Sequence, residues 1–222
     1  MKISEAYVTF VDLVNRNLTS NNLNVDKPRF INLFNKVTIE YVSWILDKRS
    51  DDGIRYISPL LVIRKPVVAN EITDEFTSFT LPKDYFDLAN FHAYATYKKC
   101  KDIRIKTFEV KSEDVEELLN DDANVPSFEY RETFYLVDSN RVTIYQDEFK
   151  ITRALLSYYR YPIKVDIEGY IHLDKTNSKN VDPEFDDKVV HKILTAMAKQ
   201  FASSNGDSNA YQLHKDKLFS EI

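Results

Sequence analysis

The chain has 222 residues, a net charge of −5 and only three glycines, where average usage would supply about fifteen. Gly53, Gly169 and Gly206 lie too far apart for any two to share a loop, which excludes the dinucleotide fingerprint, the Walker A loop and the serine nucleophile elbow. Thirty Lys and Arg against 35 Asp and Glu argue against a dedicated DNA-gripping domain, and Cys100 alone allows neither an intrachain disulfide nor a Cys-rich zinc site.

The first 20 residues lack the basic flank and apolar block of a signal peptide, and no apolar run is long enough to span a bilayer. The expectation is a soluble protein folded inside a cell, with no membrane partner. Ile3, Ala6, Tyr7, Phe10, Leu13, Val14 and Leu18 recur at three-four spacing and predict a first amphipathic helix, ended by Thr19-Ser20-Asn21-Asn22. Asp26 is placed to cap a second helix, with Pro28 in its first turn and a stripe of Phe30, Leu33, Phe34, Val37, Tyr41, Trp44 and Ile45.

From Ile54 to about Pro162 the period shifts towards two. Residues 54–63, 76–81, 91–97, 103–110, 132–137, 141–146 and 149–160 read as short strands, with Asp138-Ser139-Asn140 as a tight hairpin loop. Helical interruptions are predicted at Pro82–Asn90 and at Ser112–Asn120, where Ser112 can cap. Asp182-Pro183-Glu184 then reads as a helix start, followed by a stripe of Val189, Val190, Ile193, Leu194, Met197 and Phe201. Gly206 suits a helix end, and Asp207 can cap a last helix carrying Tyr211, Leu218 and Ile222.

The predicted fold class is α+β. The N- and C-terminal helix pairs, residues 1–53 and 166–222, form the two halves of a bundle, because neither pair buries its stripe alone. Residues 54–165 form an inserted antiparallel β-sheet or sandwich with short helices.

The search for chemistry returns no catalytic constellation. Asp187 and His191 stand four apart on one helix and could share a metal, but a third ligand at usable spacing is missing; the competing reading is a helix N-terminus acid and a polar flank. His92, between Phe91 and Tyr94, reads as a strand residue rather than a base. Glu113, Asp114, Glu116 and Glu117, with Asp121 and Asp122 beyond, form a run of acids over an inward Val115, Leu118 and Leu119. Such a run is a solvated face or an acidic docking surface, since acid–base work needs two carboxyls in different environments. The expectation is no enzyme, no cofactor and no metal.

Two interface candidates remain. Lys98, Lys99, Lys101, Arg104 and Lys106 against one Asp102 give +4 over nine residues, with Tyr94 and Tyr97 nearby. Strand alternation places Arg104 and Lys106 on one face and Ile103 and Ile105 on the other. That segment could meet phosphates, as a nucleic-acid-associated protein would, or the acidic run of a neighbouring copy, since opposite-sign patches on one chain favour head-to-tail rings. Tyr158 and Arg160 share one strand face and Tyr159 and Tyr161 the other. One pair belongs to the core, and Tyr and Arg are also the residues that anchor interfaces.

The helix-pair, β-insertion, helix-pair order, with Leu81-Pro82-Lys83-Asp84-Tyr85-Phe86, Pro126-Ser127-Phe128-Glu129-Tyr130, Val142-Thr143-Ile144-Tyr145 and Tyr158-Tyr159-Arg160-Tyr161-Pro162 inside it, resembles the head-to-tail connector proteins of short-tailed bacteriophages. A composition rich in Asn, Asp, Lys, Tyr and Ile is most similar to the neck ring proteins of crAss-like phages. The resemblance implies a non-enzymatic virion protein of the neck, a dodecameric ring between portal and tail. Its partners would be further copies of itself, the portal and neighbouring ring or tail proteins. Genomic DNA would pass through its lumen without sequence-specific binding.

Overall fold

A computed structural model describes residues 1–17, 25–121 and 123–204. The chain divides into two compact units, Met1–Leu60 with Pro162–Ile222, and Leu61–Tyr161.

In the first unit, helix α1 spans Ile3–Asn17, α2 Lys27–Lys48, α3 Asp51–Tyr56 and α5 Asp187–Ser204; the short helix α4, Val115–Leu119, belongs to the other unit. Both long N-terminal helices form where the three-four spacing places them. Asp26 accepts the Arg29 N–H at 2.9 Å, which satisfies one of the orphan donors of the first turn of α2. The helix stops at Arg49, which enters the left-handed region at φ 45 while its N–H still bonds the Ile45 carbonyl. Phe10 of α1 meets Phe30 of α2 at 5.5 Å and Phe201 of α5 at 5.9 Å between ring centroids. Val37, Tyr41, Val189, Ile193, Leu194 and Met197 are buried in the same unit.

Two expectations for this unit are corrected. Residues 54–56 are helical rather than extended, because Ser50 accepts the Gly53 N–H and opens α3; a 3-10 turn at Ser58–Leu60 follows before any strand begins. The last helix starts at Asp187 rather than at Asp182-Pro183-Glu184. Asp186 takes the capping role by accepting the Val189 N–H at 2.9 Å, while Asp182 accepts the Ile3 N–H at the start of α1 and Glu184 accepts the Ile163 N–H. Each acid of the start signal thus serves another element. The helix expected on Asp207–Ile222, with Gly206 before it, lies outside the described residues.

Between Tyr161 and α5 the chain runs through residues 162–186 with almost no regular structure, and side chains replace a ladder. Asn35 of α2 both donates to the Val165 carbonyl, at 3.1 Å, and accepts the Val165 N–H, at 2.9 Å. Asp166 gathers four donors: the Tyr170 hydroxyl, His172 Nε2, and the Ile167 and Lys179 N–H groups, at 2.7 to 3.1 Å. Gly169 sits at φ 110, where a Cβ would also stand 2.7 Å from Lys27 Nζ, so this position requires glycine.

The second unit is an eight-stranded sheet. Its strands are β1 Leu61–Val67, β2 Ala69–Ile72, β3 Phe76–Thr80, β4 Tyr85–Tyr97, β5 Cys100–Glu109, β6 Glu132–Asp138, β7 Arg141–Tyr145 and β8 Lys150–Arg160. They lie in the order β1-β8-β4-β5-β6-β7-β3-β2. Strands β1 and β2, at opposite ends of that order, are joined through Val68 alone, so the sheet must curl until its ends approach. The inner face confirms the curl: Phe79 of β3 lies 6.2 Å from Phe91 of β4, and Phe91 lies 5.3 Å from Tyr135 of β6. Ala93, Ala95, Ile105, Ile144, Ala154 and Leu156 complete this core. Gln146 is one of the polar residues buried in this unit, accepting from Thr77 Oγ1 and the Ile151 N–H and donating to the Thr73 carbonyl.

The sheet is mixed rather than antiparallel, because β5 and β6 pair in parallel. A parallel pair needs a crossover, and residues 110–131 supply it with the short helix α4, Val115–Leu119. That helix opens at Asp114 without a side-chain cap, and Ser112 lies outside it. Pro82–Asn90 is not helical. The Tyr85 N–H closes a turn on the Pro82 carbonyl, and β4 begins at once, its aromatic residues registered against β8. The predicted hairpin forms with a two-residue loop, Ser139-Asn140, because Asp138 still belongs to β6 and pairs with Arg141; Ser139 lies at φ 38.

Candidate anion-binding groove and charged patches

Alternation along β4 and β5 decides what the sheet shows to solvent. Phe91, Ala93 and Ala95 of β4 and Ile105 of β5 point inward and are buried, while Arg104 and Lys106 are exposed on the other face, as the pattern of the basic segment requires. The basic run then separates into two parts. Lys98 and Lys99 form the two-residue turn between Tyr97 and Cys100, with Lys98 at φ 52 and its ammonium 4.4 Å over the Tyr97 ring. Lys99 and Lys101 stand exposed beside it. Tyr97 donates to Glu148, and the Tyr94 ring is covered at 4.0 Å by Arg153, itself paired to Asp102. Each of these two tyrosine rings therefore already carries a cation of this chain on one face.

The other part lines a cavity of about 400 Å³ bounded by Asn90, Phe91, His92, Arg104, Ile105, Lys106, Thr107, Tyr130 and Arg131. Arg104 Nη2 lies 3.1 Å from His92 Nδ1. A guanidinium only donates, so His92 must accept there in its neutral form. Its surroundings favour that state: burial, then the nearby Arg104 and Arg64 charges, hold the imidazole below its usual range. Lys106 is paired with Glu132 at 2.6 Å. Arg131, at φ 54, ends the crossover and its carbonyl accepts the Lys106 N–H. Tyr130 is 79% exposed at the rim.

The acidic segment takes the form expected of a solvated face. Glu113, Asp114, Glu116 and Glu117 are exposed around α4, with Lys111 3.7 Å from Glu113 and Val115 buried beneath. Leu119 is more exposed than its spacing suggested. Tyr158 corrects the interface expectation: its ring is fully buried, its hydroxyl donates to Asp84 at 3.0 Å and it accepts from Lys65. Tyr159, its neighbour on the opposite face of β8, is buried as well, so both sides of the strand are covered at this point. Arg160 is half-buried and donates to the Tyr161 carbonyl.

Asp187 and His191 lie on α5, where the Asp187 carboxylate meets the Met1 amino group and His191 is exposed. Among the described residues no three His, Cys, Asp or Glu side chains converge as metal ligands would, and no helix is long and apolar enough to cross a membrane. Nothing in the sequence pattern marks Asn90, Tyr130 or Arg131 as site residues. Tyr130 and Arg131 stand 26 and 27 residues from Arg104 along the chain and reach it only through the parallel pairing of β5 with β6. A scan against protein-family models finds no match to this chain, and a search of curated proteins also returns none.

Proposed function

We propose that this chain is a ring-forming structural protein of a phage neck, joining portal to tail around the genome channel. The observation that supports it most is the exposure, on one β unit, of a basic turn at Lys98, Lys99 and Lys101 and an acidic helix at Glu113, Asp114, Glu116 and Glu117. Patches of opposite sign on one subunit are self-complementary in the heterologous, head-to-tail sense, and such contacts close into rings when the rotation allows. In this reading the N- and C-terminal helix pairs form a bundle that builds the ring wall. The β unit supplies the contacts between copies, the ring closes with the twelve copies that the resemblance to neck ring proteins implies, and the net charge of −5 keeps the lumen from holding DNA tightly.

Native mass spectrometry and negative-stain imaging of the protein, alone and mixed with the portal, test the reading. The expected result is a closed ring. The pair Lys99→Glu and Lys101→Glu should block assembly, and adding Glu116→Lys and Glu117→Lys should restore it. No oligomer under either condition, or assembly indifferent to both charge changes, refutes the proposal.

A further inference from the structure

We infer that the groove on the outer face of β4 and β5 binds single-stranded nucleic acid, with Arg104 and Arg131 on its phosphates and Tyr130 stacked on a base. This site does not rest on the ring reading, in which the chain surrounds DNA without gripping it. It also differs from the basic run taken as a whole, because it excludes the turn lysines and includes two residues of the crossover.

Three observations lead to it. Among the described residues neither Arg104 nor Arg131 has a carboxylate partner. Lys106 does, so the groove keeps two uncompensated guanidinium groups beside one neutralised ammonium. His92 contributes an acceptor without charge, which orients the Arg104 guanidinium and leaves its positive charge intact. Arg presents five donors in a planar fork that matches phosphate oxygens, and one bond to His92 leaves most of them available.

The second observation is the ring. Tyr130 is a large aromatic held at the lip of the cavity with most of its surface in water. Its position is fixed by the turn in which its N–H approaches Ser127 Oγ and the Arg131 N–H bonds the Phe128 carbonyl. Exposed aromatic faces next to backbone-tracking cations are the means by which single strands are held without regard to sequence. The third is shape. A recess of about 400 Å³ falls within the usual size of small-molecule sites and admits one splayed nucleotide, whereas the phosphates of a duplex lie on a convex surface.

Fluorescence anisotropy of the full-length protein with a labelled oligothymidine of roughly ten nucleotides tests this. Binding should be measurable at low salt and should weaken as salt rises. Tyr130→Ser should weaken it roughly 5- to 150-fold, the loss of one stacked base. Arg104→Gln with Arg131→Asn should weaken it further and reduce the magnitude of the salt slope by about 1.4, two phosphates at about 0.7 each. Lys99→Gln, outside the groove, should change affinity less than twofold. All are surface changes, and circular dichroism checks that each variant keeps the wild-type fold. Absence of binding at low salt overturns the inference, as does binding indifferent to the groove variants. So does occupation of the groove by a peptide of residues 109–121 in place of the oligonucleotide, which would assign it to a carboxylate partner.

Discussion

Replacing Asp166 with Asn removes a charge while keeping size and shape, and tests whether one carboxylate organises the irregular stretch 162–186. Oδ1 accepts the Ile167 N–H and the Tyr170 hydroxyl; Oδ2 accepts His172 Nε2 and the Lys179 N–H. The amide of Asn can keep the first two acceptances through its oxygen. Its NH2 group then faces the Lys179 N–H donor to donor, and His172 must change tautomer to accept. One charge-assisted bond to a side chain that is 14% exposed is lost outright and a second is weakened, at about 1.5–3 kcal/mol for a bond to a charged group. The expected loss is about 2–3 kcal/mol, or about 5–10 °C in Tm for a chain of this size. The pH dependence supplies a second check. Burial pushes the Asp166 carboxyl up, but the bonds from Tyr170, Lys179, His172 and Ile167 outweigh it, and the net shift is downward. A depressed folded-state pKa stabilises above the unfolded value, near 3.9, and that contribution fades as pH falls through the folded value. Thermal unfolding followed by near-UV circular dichroism at pH 7 and pH 3 measures both effects. A Tm change below about 1 °C at pH 7, or an undiminished difference at pH 3, refutes the assignment.

Phe10→Ala removes the ring shared between Phe30 and Phe201 and should cost about 3–5 kcal/mol by denaturant unfolding. Gln146→Ala should cost about 2–3 kcal/mol, because the Thr77 hydroxyl and the Ile151 N–H lose their acceptor inside the β core; a smaller loss for Ala than for Asn at this position would contradict the hydrogen-bond reading. His92, held neutral, has its folded pKa below the unfolded one. Its contribution is therefore complete above the unfolded value, about 6.5, and is lost as pH falls through the folded value. His92→Gln should flatten the Tm profile between about pH 7 and 5, and an unchanged profile would show that His92 does not titrate differently on folding.

Periodicity made the long helices readable because their stripes are local: Ile3, Phe10 and Val14, or Phe30, Phe34, Val37 and Tyr41, all become buried. The same signal failed where one residue type serves two purposes. Asp182 and Glu184 resemble a helix start but bond the backbone of Ile3 and Ile163, partners far away in the chain. Pro82 opens a turn before a strand rather than a first helical turn, and what decides this is the pairing of Tyr85–Tyr97 with β8, which no local window contains. Tyr158 was ambiguous for a related reason: alternation puts Tyr158 and Tyr159 on opposite faces but does not say which face is covered, and both residues are buried.

The groove was half legible. Arg104 and Lys106 were visible as alternating cations, but a run of +4 suggests one continuous patch, and the fold divides it. The turn at Lys98-Lys99 carries part of the charge to one end of the hairpin, where Tyr97, Tyr94, Arg153 and Asp102 satisfy one another. The parallel pairing of β5 with β6 brings Tyr130 and Arg131 to the other end. Net charge alone argues against a nucleic-acid contact here. Screening acts over about 8 Å at physiological salt, so a ligand in the groove responds to the two guanidiniums it touches and not to acids elsewhere on the chain. An overall charge of −5 and a local cationic site are therefore compatible. Their combination favours transient, salt-sensitive contact with a strand over a tight clamp.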